Sequence, residues 1–197
     1  MSTESNASPT AQCFVGAVHL SGGEPVDTVF NEVFRYFSRS GYRIHGMLQA
    51  EHPQRESCCP TMFLRNLQGE SSIQISQSLG KGSTGCRVDP GAIAEATARL
   101  EHELDDDIDL LILNRFGRCE SEGGGLRPVI EKAVLKNIPV LIAVRAKYRA
   151  QWDDFVGEFC RDLDCEFEEI TGWCNTALGQ RTERISDNQL QMGAARR

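Results

Sequence analysis

The sequence has no long hydrophobic run and no hydrophobic N-terminal segment. Its apolar stretches stop well short of the roughly 20 residues that a membrane-spanning helix needs. Residues 1–12 are polar and rich in Ser and Thr, without the charged start and apolar run of a secretory signal. These absences predict a cytoplasmic protein that has no membrane partner.

Positively charged residues are also fewer than negatively charged ones. The 197 residues contain 21 Lys and Arg against 28 Asp and Glu, which gives a net charge of -7. An acidic surface repels the phosphates of nucleic acids and the headgroups of acidic membranes, so general binding to either is not expected. Cations that gather at one place in such a chain are therefore candidates for binding a small anionic ligand.

Metal-ligand spacing is missing as well. The eight cysteines include no Cys-x2-Cys pair, and the four histidines show no ligand spacing, so no metal site is predicted. Without an export signal, the cysteines are expected to be reduced thiols. Cys86 and Cys119 lie beside arginines, which favour the thiolate. A thiol redox or metal-handling role, using these two with Cys58 and Cys59, stays open as an alternative.

Strands and helices alternate along the chain. A short apolar strand at residues 14–19, a helix with apolar residues at helical spacing from Val26 to Phe37, and a strand at residues 42–48 form the first unit. The same alternation recurs in four later segments, at residues 90–104, 109–113, 126–137 and 139–144. The pattern predicts an α/β fold, a three-layer domain with a mainly parallel sheet.

An antiparallel hairpin interrupts this alternation. Residues 61–77 contain two short strand patterns around the turn Gln68-Gly69-Glu70, whereas residues 49–60 are predicted to be a polar loop. The ends of the chain are polar, which is typical of segments without a packed core. The predicted organisation is a disordered N-terminus at residues 1–12, a single α/β domain at residues 13–178 and a flexible C-terminal tail at residues 179–197.

A glycine-rich loop joins the hairpin to the helix that begins near Pro90. Its glycines let successive backbone N–H groups converge on an oxygen-rich ligand, and its cations add charge. Asp89 is placed to cap the helix, whose positive N-terminal end would then point back toward the loop. The alternative is a tight connection without a ligand. The candidate ligand-binding residues of this loop are Gly80, Lys81, Gly82, Ser83, Gly85, Cys86 and Arg87.

A second glycine-rich loop follows the continuous apolar strand at residues 109–113. It comes at the carboxyl end of a central parallel strand, where open α/β sheets place their ligands. Its candidate ligand-binding residues are Asn114, Arg115, Gly117, Arg118, Glu120 and Arg127. Arg87 and Arg118 are the expected chief contacts, because a guanidinium can hold two oxygens at once. The alternative is that these cations form surface ion pairs with Asp89, Glu120 and Glu122.

The two loops resemble an uncharacterised bacterial family of unknown function, over about residues 14–178. The residues that carry the resemblance are Ile75-Ser76-Gln77, Gly82-Ser83-x-Gly85-Cys86-Arg87-x-Asp89-Pro90 and Leu111-x-Leu113-Asn114-Arg115-Phe116-Gly117-Arg118-x-Glu120-x-Glu122-Gly123-x-Gly125-Leu126-Arg127. Members of that family are commonly encoded beside molybdenum uptake and cofactor genes, and they are similar in fold to thermophilic-type P-loop nucleoside triphosphatases. The resemblance implies a P-loop-NTPase-like domain with an accessory role in molybdenum metabolism. A molybdenum-pathway protein and a second copy of the chain are the implied partners.

The wider likeness to nucleoside triphosphatases implies a binding segment after the first strand. Ser21, Gly22 and Gly23 lie there, but the lysine that binds the β- and γ-phosphates in those enzymes is missing. Asn114-Arg115 replaces the acidic pair that positions magnesium, and this removes the charge that holds the metal. The expected function is the binding of a nucleotide, a phosphate-bearing cofactor or an oxyanion such as molybdate, with slow or absent hydrolysis. The alternative is an active nucleoside triphosphatase, using a nucleotide with magnesium in an altered site.

Overall fold

The computed structural model describes residues 13–52, 61–69, 71–77, 87–105 and 107–194. The described strands are β1 (Val15–Leu20), β2 (Ile44–His52), β3 (Thr61–Asn66), β4 (Ser72–Gln74), β5 (Leu110–Phe116), β6 (Val140–Arg145) and β7 (Cys160–Leu163). The helices are α1 (Val26–Arg39), α2 (Pro90–Glu103), α3 (Arg118–Ser121), α4 (Arg127–Leu135), α5 (Arg149–Val156) and α6 (Phe167–Ala194). Short 3-10 turns occupy Ala146–Tyr148 and Gly157–Phe159.

The strands form one mixed sheet in the order β4-β3-β2-β5-β6-β1-β7. Strands β2, β5, β6, β1 and β7 run parallel to one another. Strand β3 is antiparallel to both β2 and β4. The predicted α/β fold, with a mainly parallel sheet and an antiparallel hairpin, is therefore confirmed.

Helices cover both faces of the sheet and make three layers. Helices α1 and α6 pack on one face, where Phe30 and Trp173 belong to the buried cluster. Helices α2, α4 and α5 pack on the other face. Strand β5 contributes Ile112 to the buried cluster under α1 and α6. It contributes Leu111 and Leu113 to the buried cluster on the opposite face. The first four residues of β5, 110–113, are buried on both faces of the sheet and have to be apolar, which is why they show no alternation.

Two sheet strands differ from the sequence predictions. Strand β2 continues to His52, although residues 49–60 were expected to form a polar loop, because its second half pairs with the hairpin strand β3. Strand β7 has no counterpart among the predictions. It has only four residues, of which Arg161 and Asp162 are exposed, so its sequence carries little hydrophobic pattern.

The C-terminal segment also differs from the flexible tail expected at residues 179–197. Helix α6 continues through this segment to Ala194. The Arg181 side chain is only 3% exposed, and its Nη1 donates to the carbonyl oxygens of Lys136 at 3.1 Å and Asn137 at 2.8 Å. These contacts hold the beginning of a segment whose polar composition predicted a flexible tail. Although α6 is long, neither it nor any other described helix is apolar enough to cross a membrane.

Candidate functional site

A cleft lies along the edge of the sheet where the parallel strands have their carboxyl ends. It has two adjoining parts, of about 270 and 570 Å³. The first, the Arg87 compartment, is lined among others by Arg87, Asn114, Arg118, Glu120 and Tyr148. The second, the Glu24 compartment, is lined by the turn that follows β1, from Ser21 to Glu24. Four residues line both parts: Gln49, Arg115, Arg145 and Lys147.

The cleft brings together the described candidates from three separate parts of the chain. Nine border it, namely Ser21, Gly22, Gly23, Arg87, Asn114, Arg115, Gly117, Arg118 and Glu120. Arg127 does not line either compartment, and its guanidinium instead stacks 4.2 Å from the ring centroid of Phe155. Six candidates lie outside the described residues and stay predictions: Gly80, Lys81, Gly82, Ser83, Gly85 and Cys86.

Arg115 is the most firmly held of the four residues that line both compartments. Strand β5 has a register irregularity between Leu113 and Arg115, and the Arg115 side chain beyond it is only 14% exposed. Its Nη2 lies 2.6 Å from Oδ2 of Asp27, in the first turn of α1, and its Nη1 donates to Oε1 of Gln49 at 2.5 Å. Arg115 is therefore a neutralised cation that ties β5 to the start of α1, with little freedom to follow a ligand.

Arg118 is far more exposed than Arg115. Its Nε donates to Oε1 of Glu122 at 2.8 Å, but the two side chains are 58% and 62% exposed. Exposed pairs of this kind contribute little to stability, about 0–1 kcal/mol. An anion that enters the Arg87 compartment can therefore compete with Glu122 for the guanidinium at small cost.

Glu120 stabilises the second glycine-rich loop from within. Its carboxylate is buried, 4% exposed, and accepts hydrogen bonds from the N–H groups of Gly117 at 2.8 Å and Leu126 at 3.0 Å. Gly125 passes so close that a Cβ on it would lie 2.1 Å from Oε1 of Glu120. Both carboxylate oxygens are thus engaged in closing the loop, so the observed role of Glu120 is structural support of the site.

Arg87 enters the cleft from a well-anchored piece of backbone. Its carbonyl oxygen accepts from the Gln77 N–H at 2.7 Å, and the Asp89 N–H donates to the Ile75 carbonyl at 2.8 Å. The ion pair with Asp89 that the alternative interpretation proposed is absent from the described contacts. The Asp89 carboxylate instead caps α2, as the sequence predicted, by accepting from the Gly91 N–H at 2.8 Å. Within the described part of the chain, the Arg87 guanidinium has no carboxylate partner.

Two cleft cations are missing from the sequence-based candidates. Arg145 ends β6, and Lys147 follows it in the adjoining 3-10 turn with its Nζ 4.7 Å from the ring centroid of Tyr148. Both are exposed and line both compartments. The signal that could have found them is their position directly after a predicted parallel strand, since that position places them at the same sheet edge as the loop after β5.

The turn after β1 already binds an anionic group of the protein. The N–H groups of Ser21 and Gly22 each donate to the Glu24 carboxylate at 2.8 Å. Hydrogen bonds from the backbone N–H groups of Glu24, Gly22 and Ser21 lower the pKa of this carboxyl below its ordinary 4.5. The carboxylate is consequently charged at neutral pH.

Where the resemblance implies magnesium, the described residues do not fit it. Magnesium is usually held by one or two carboxylates together with waters and phosphate oxygens. At this position Asn114 supplies an amide, and the neighbouring Arg115 binds the carboxylate of Asp27 directly. Among the described residues, no group of three or more His, Cys, Asp or Glu side chains could hold a metal ion.

Comparisons with known proteins agree with the resemblance seen in the sequence. Residues 15–173 match the family described as "Protein of unknown function (DUF2478)". The chain is also 31% identical over 159 residues to the "Molybdenum import ATP-binding protein ModC 2" of Bradyrhizobium diazoefficiens. That match covers 81% of this chain but 18% of the relative, so the chain spans less than a fifth of the relative's length.

A solved structure confirms the expected likeness in fold to the P-loop nucleoside triphosphatases. A human cancer-related nucleoside triphosphatase, determined in solution, superposes with a TM-score of 0.53 at 10% sequence identity. The superposition covers 89% of this chain and 96% of that one. At this level of identity the likeness concerns the fold alone.

Proposed function

This chain belongs to the DUF2478 family of proteins of unknown function, and from that premise we propose that it binds a compact anion in the edge cleft. The anion is a phosphate group of a nucleotide or of another phosphate-bearing cofactor, or an oxyanion such as molybdate. One observation carries the proposal: five cations surround a single cleft in a chain of net charge -7. They are Arg87, Arg115, Arg118, Arg145 and Lys147.

The pairing of these cations leaves a positive surplus. Asp27 neutralises Arg115, and Glu122 partly neutralises Arg118. Arg87, Arg145 and Lys147 have no carboxylate partner within the described chain. Like charges repel, and a concave site focuses their field, so the arrangement favours a negatively charged occupant. A guanidinium matches two oxygens of phosphate or molybdate at once, which makes Arg87 the expected principal contact.

The biological setting we propose is molybdenum metabolism. The support is the 31% identity to a relative whose name describes molybdenum import and ATP binding. Because the chain spans only 18% of that relative, an accessory role is proposed rather than the relative's whole activity. In this setting the protein acts in the cytoplasm, and a molybdenum-pathway protein or a second copy of the chain is the proposed partner.

Metal-dependent triphosphate hydrolysis is proposed to be slow or absent. Arg115 and Asp27 bind each other where a catalytic metal would be needed, and Glu120 has both oxygens engaged with backbone N–H groups. The likeness in fold to a nucleoside triphosphatase favours the second candidate function, an active triphosphatase with an altered site. The two candidates differ in whether bound nucleotide is turned over.

Calorimetric titration of the purified protein tests the proposal. ATP, inorganic phosphate and molybdate are each titrated with magnesium and again with EDTA, and phosphate release from ATP is followed in parallel. We expect saturable binding of at least one anion, unchanged by EDTA, and no turnover near the roughly 10 per second of a typical enzyme. Binding of none of the three would contradict the proposal. Magnesium-dependent turnover at enzyme rates would establish the triphosphatase instead.

A further inference from the structure

The Glu24 compartment contains donors for an anion, and a side chain of the protein occupies them. Oε1 of Glu24 accepts from the Ser21 N–H and Oε2 accepts from the Gly22 N–H, both at 2.8 Å. Backbone N–H groups in the turn before a helix are the donors with which many proteins bind phosphate. The turn thus presents two phosphate-type donors, and the Glu24 carboxylate lies where an external oxyanion would bind.

The backbone of the turn is shaped for this contact. Gly22 and Gly23 have φ angles of +129° and +92°, a region that side chains other than glycine rarely adopt. A Cβ on either residue would meet nothing within 4 Å, so close packing does not require glycine here. The glycines serve the backbone conformation, and that conformation directs the two N–H groups toward Glu24.

Glu24 also faces the cations that a ligand would use. Arg115, Arg145 and Lys147 line its compartment and continue into the Arg87 compartment. A ligand with one anionic group can lie against Arg87 and remain clear of Glu24. A ligand with a second or third anionic group has to extend along the shared cations toward Glu24, where it meets a like charge and occupied donors.

We propose that Glu24 is a specificity-determining residue, which restricts the cleft to ligands with one compact anionic group and disfavours chains of phosphates. This inference rests on the proposed anion binding and deepens it by selecting the class of ligand. Free phosphate, molybdate and monophosphate esters fit this class. Pyrophosphate and nucleoside triphosphates do not belong to this class, because their further phosphates would need the donors of the turn between β1 and α1. That turn has only five residues, 21–25, and Glu24 occupies its donors.

The test compares inorganic phosphate with pyrophosphate by calorimetry in the wild type, Glu24→Gln and Glu24→Ala. Glu32→Gln removes the same charge from an exposed position of α1 and is the matched control. The wild type is expected to prefer phosphate. In both Glu24 variants pyrophosphate should bind about fivefold more tightly, because one like charge at close range is removed. Phosphate affinity should change less, and the control should change neither.

The outcomes separate this inference from the proposed function. If all proteins bind phosphate, and the Glu24 variants bind pyrophosphate no better than the wild type, the role of Glu24 is overturned and anion binding stands. If neither the wild type nor any variant binds an anion, both proposals are overturned. Glu24→Gln keeps the side-chain shape and one acceptor oxygen, so it retains the turn if Glu24→Ala loses stability.

Discussion

At the scale of single residues, most carboxylates near the cleft are already engaged. Asp27 binds Arg115, Glu24 accepts from its own turn, and Glu120 closes the loop after β5. Sequence reasoning placed cations at the cleft and named Glu122 as one possible partner, which Arg118 does contact, but it missed Asp27 as the partner of Arg115. Spacing along the chain does not report contacts between residues as distant as Asp27 and Arg115, whereas Arg118 and Glu122 are four residues apart, a spacing that brings opposite charges together on a helix.

Arg87→Ala is expected to weaken anion binding by more than tenfold. Losing one desolvated, hydrogen-bonded charge typically costs about 2–5 kcal/mol, and about 1.4 kcal/mol is a factor of ten. Arg118→Ala should have a smaller effect, because Arg118 is exposed and already shared with Glu122. Calorimetry with phosphate and molybdate measures both variants.

Arg99→Ala is the matched control for Arg87. It removes the same charge from α2, where Arg99 pairs with Glu95 on the helix surface. Thermal melting of both variants should resemble that of the wild type. If Arg87→Ala and Arg99→Ala bind anions equally well, Arg87 is an ordinary surface cation and does not contact the ligand.

Gly125→Ala is expected to disturb the loop that Glu120 supports. Gly125 has a φ of +60°, and a Cβ there would lie 2.1 Å from the Glu120 carboxylate. The carboxylate has to leave the N–H groups of Gly117 and Leu126, so the free energy of unfolding should fall by about 2–4 kcal/mol, and anion binding should weaken. Gly124→Ala is the control, since its Cβ would make an ordinary 3.6 Å contact with the Cys119 carbonyl. If urea denaturation shows the same loss in free energy of unfolding for both variants, the close approach of Gly125 to Glu120 is not the cause.

At the scale of elements, local chemistry predicted some segments well. Asp89 and Pro90 start α2, because a carboxylate cap and a proline in the first turn are compatible with few other conformations. The uninterrupted apolar run of β5 identified a central strand. Strand β7 and the part of α6 around Arg181 were missed, because contacts with distant residues support them and local patterns do not.

Arg181→Ala tests one of these distant contacts. Arg181 of α6 donates to two carbonyl oxygens just beyond α4, at Lys136 and Asn137, which no helical N–H can satisfy. Removing it from a buried position should lower the free energy of unfolding by about 2–3 kcal/mol. Arg35→Ala, at an exposed position of α1, should stay within about 0.5 kcal/mol of the wild type. Urea denaturation measures the free energy of unfolding of both variants. Equal free energies for the two would place Arg181 outside the cooperative fold.

At the scale of the whole molecule, stability is expected to fall as the pH is lowered. Burial lowers the pKa of His45 below its ordinary 6.5. The backbone of its turn lowers the pKa of Glu24. Burial opposes the charge on Asp162, but hydrogen bonds from His19 and Arg149 bring its pKa below 3.8. In all three cases the unfolded chain binds protons more readily, so acid favours unfolding.

The pH windows of these groups differ. Protonation of His45 begins to lower the free energy of unfolding as the pH falls through 6.5. The carboxylates of Glu24 and Asp162 contribute their full stability above pH 4.5 and 3.8, and this stability is lost as the pH falls to their pKa values in the folded protein. Urea denaturation between neutral pH and about pH 2 follows both windows. His45→Gln should remove the first decline and keep the second. An unchanged first decline in this variant would exclude His45 as its source.

The position of β1 in the sheet has a consequence for how the chain is made. Val15 pairs with Val140 on one side and with Cys160 on the other, so both neighbours of β1 are synthesised late. Until then the nascent chain carries an apolar strand that has no neighbouring strand to pair with. Its residues Val15, Ala17 and Val18 are fully buried in the finished protein. Such long-range pairing is slow and leaves strands open to aggregation, which makes β1 the expected binding segment for a ribosome-associated chaperone. A translation product that stops before β6 would retain this strand with neither of its neighbours.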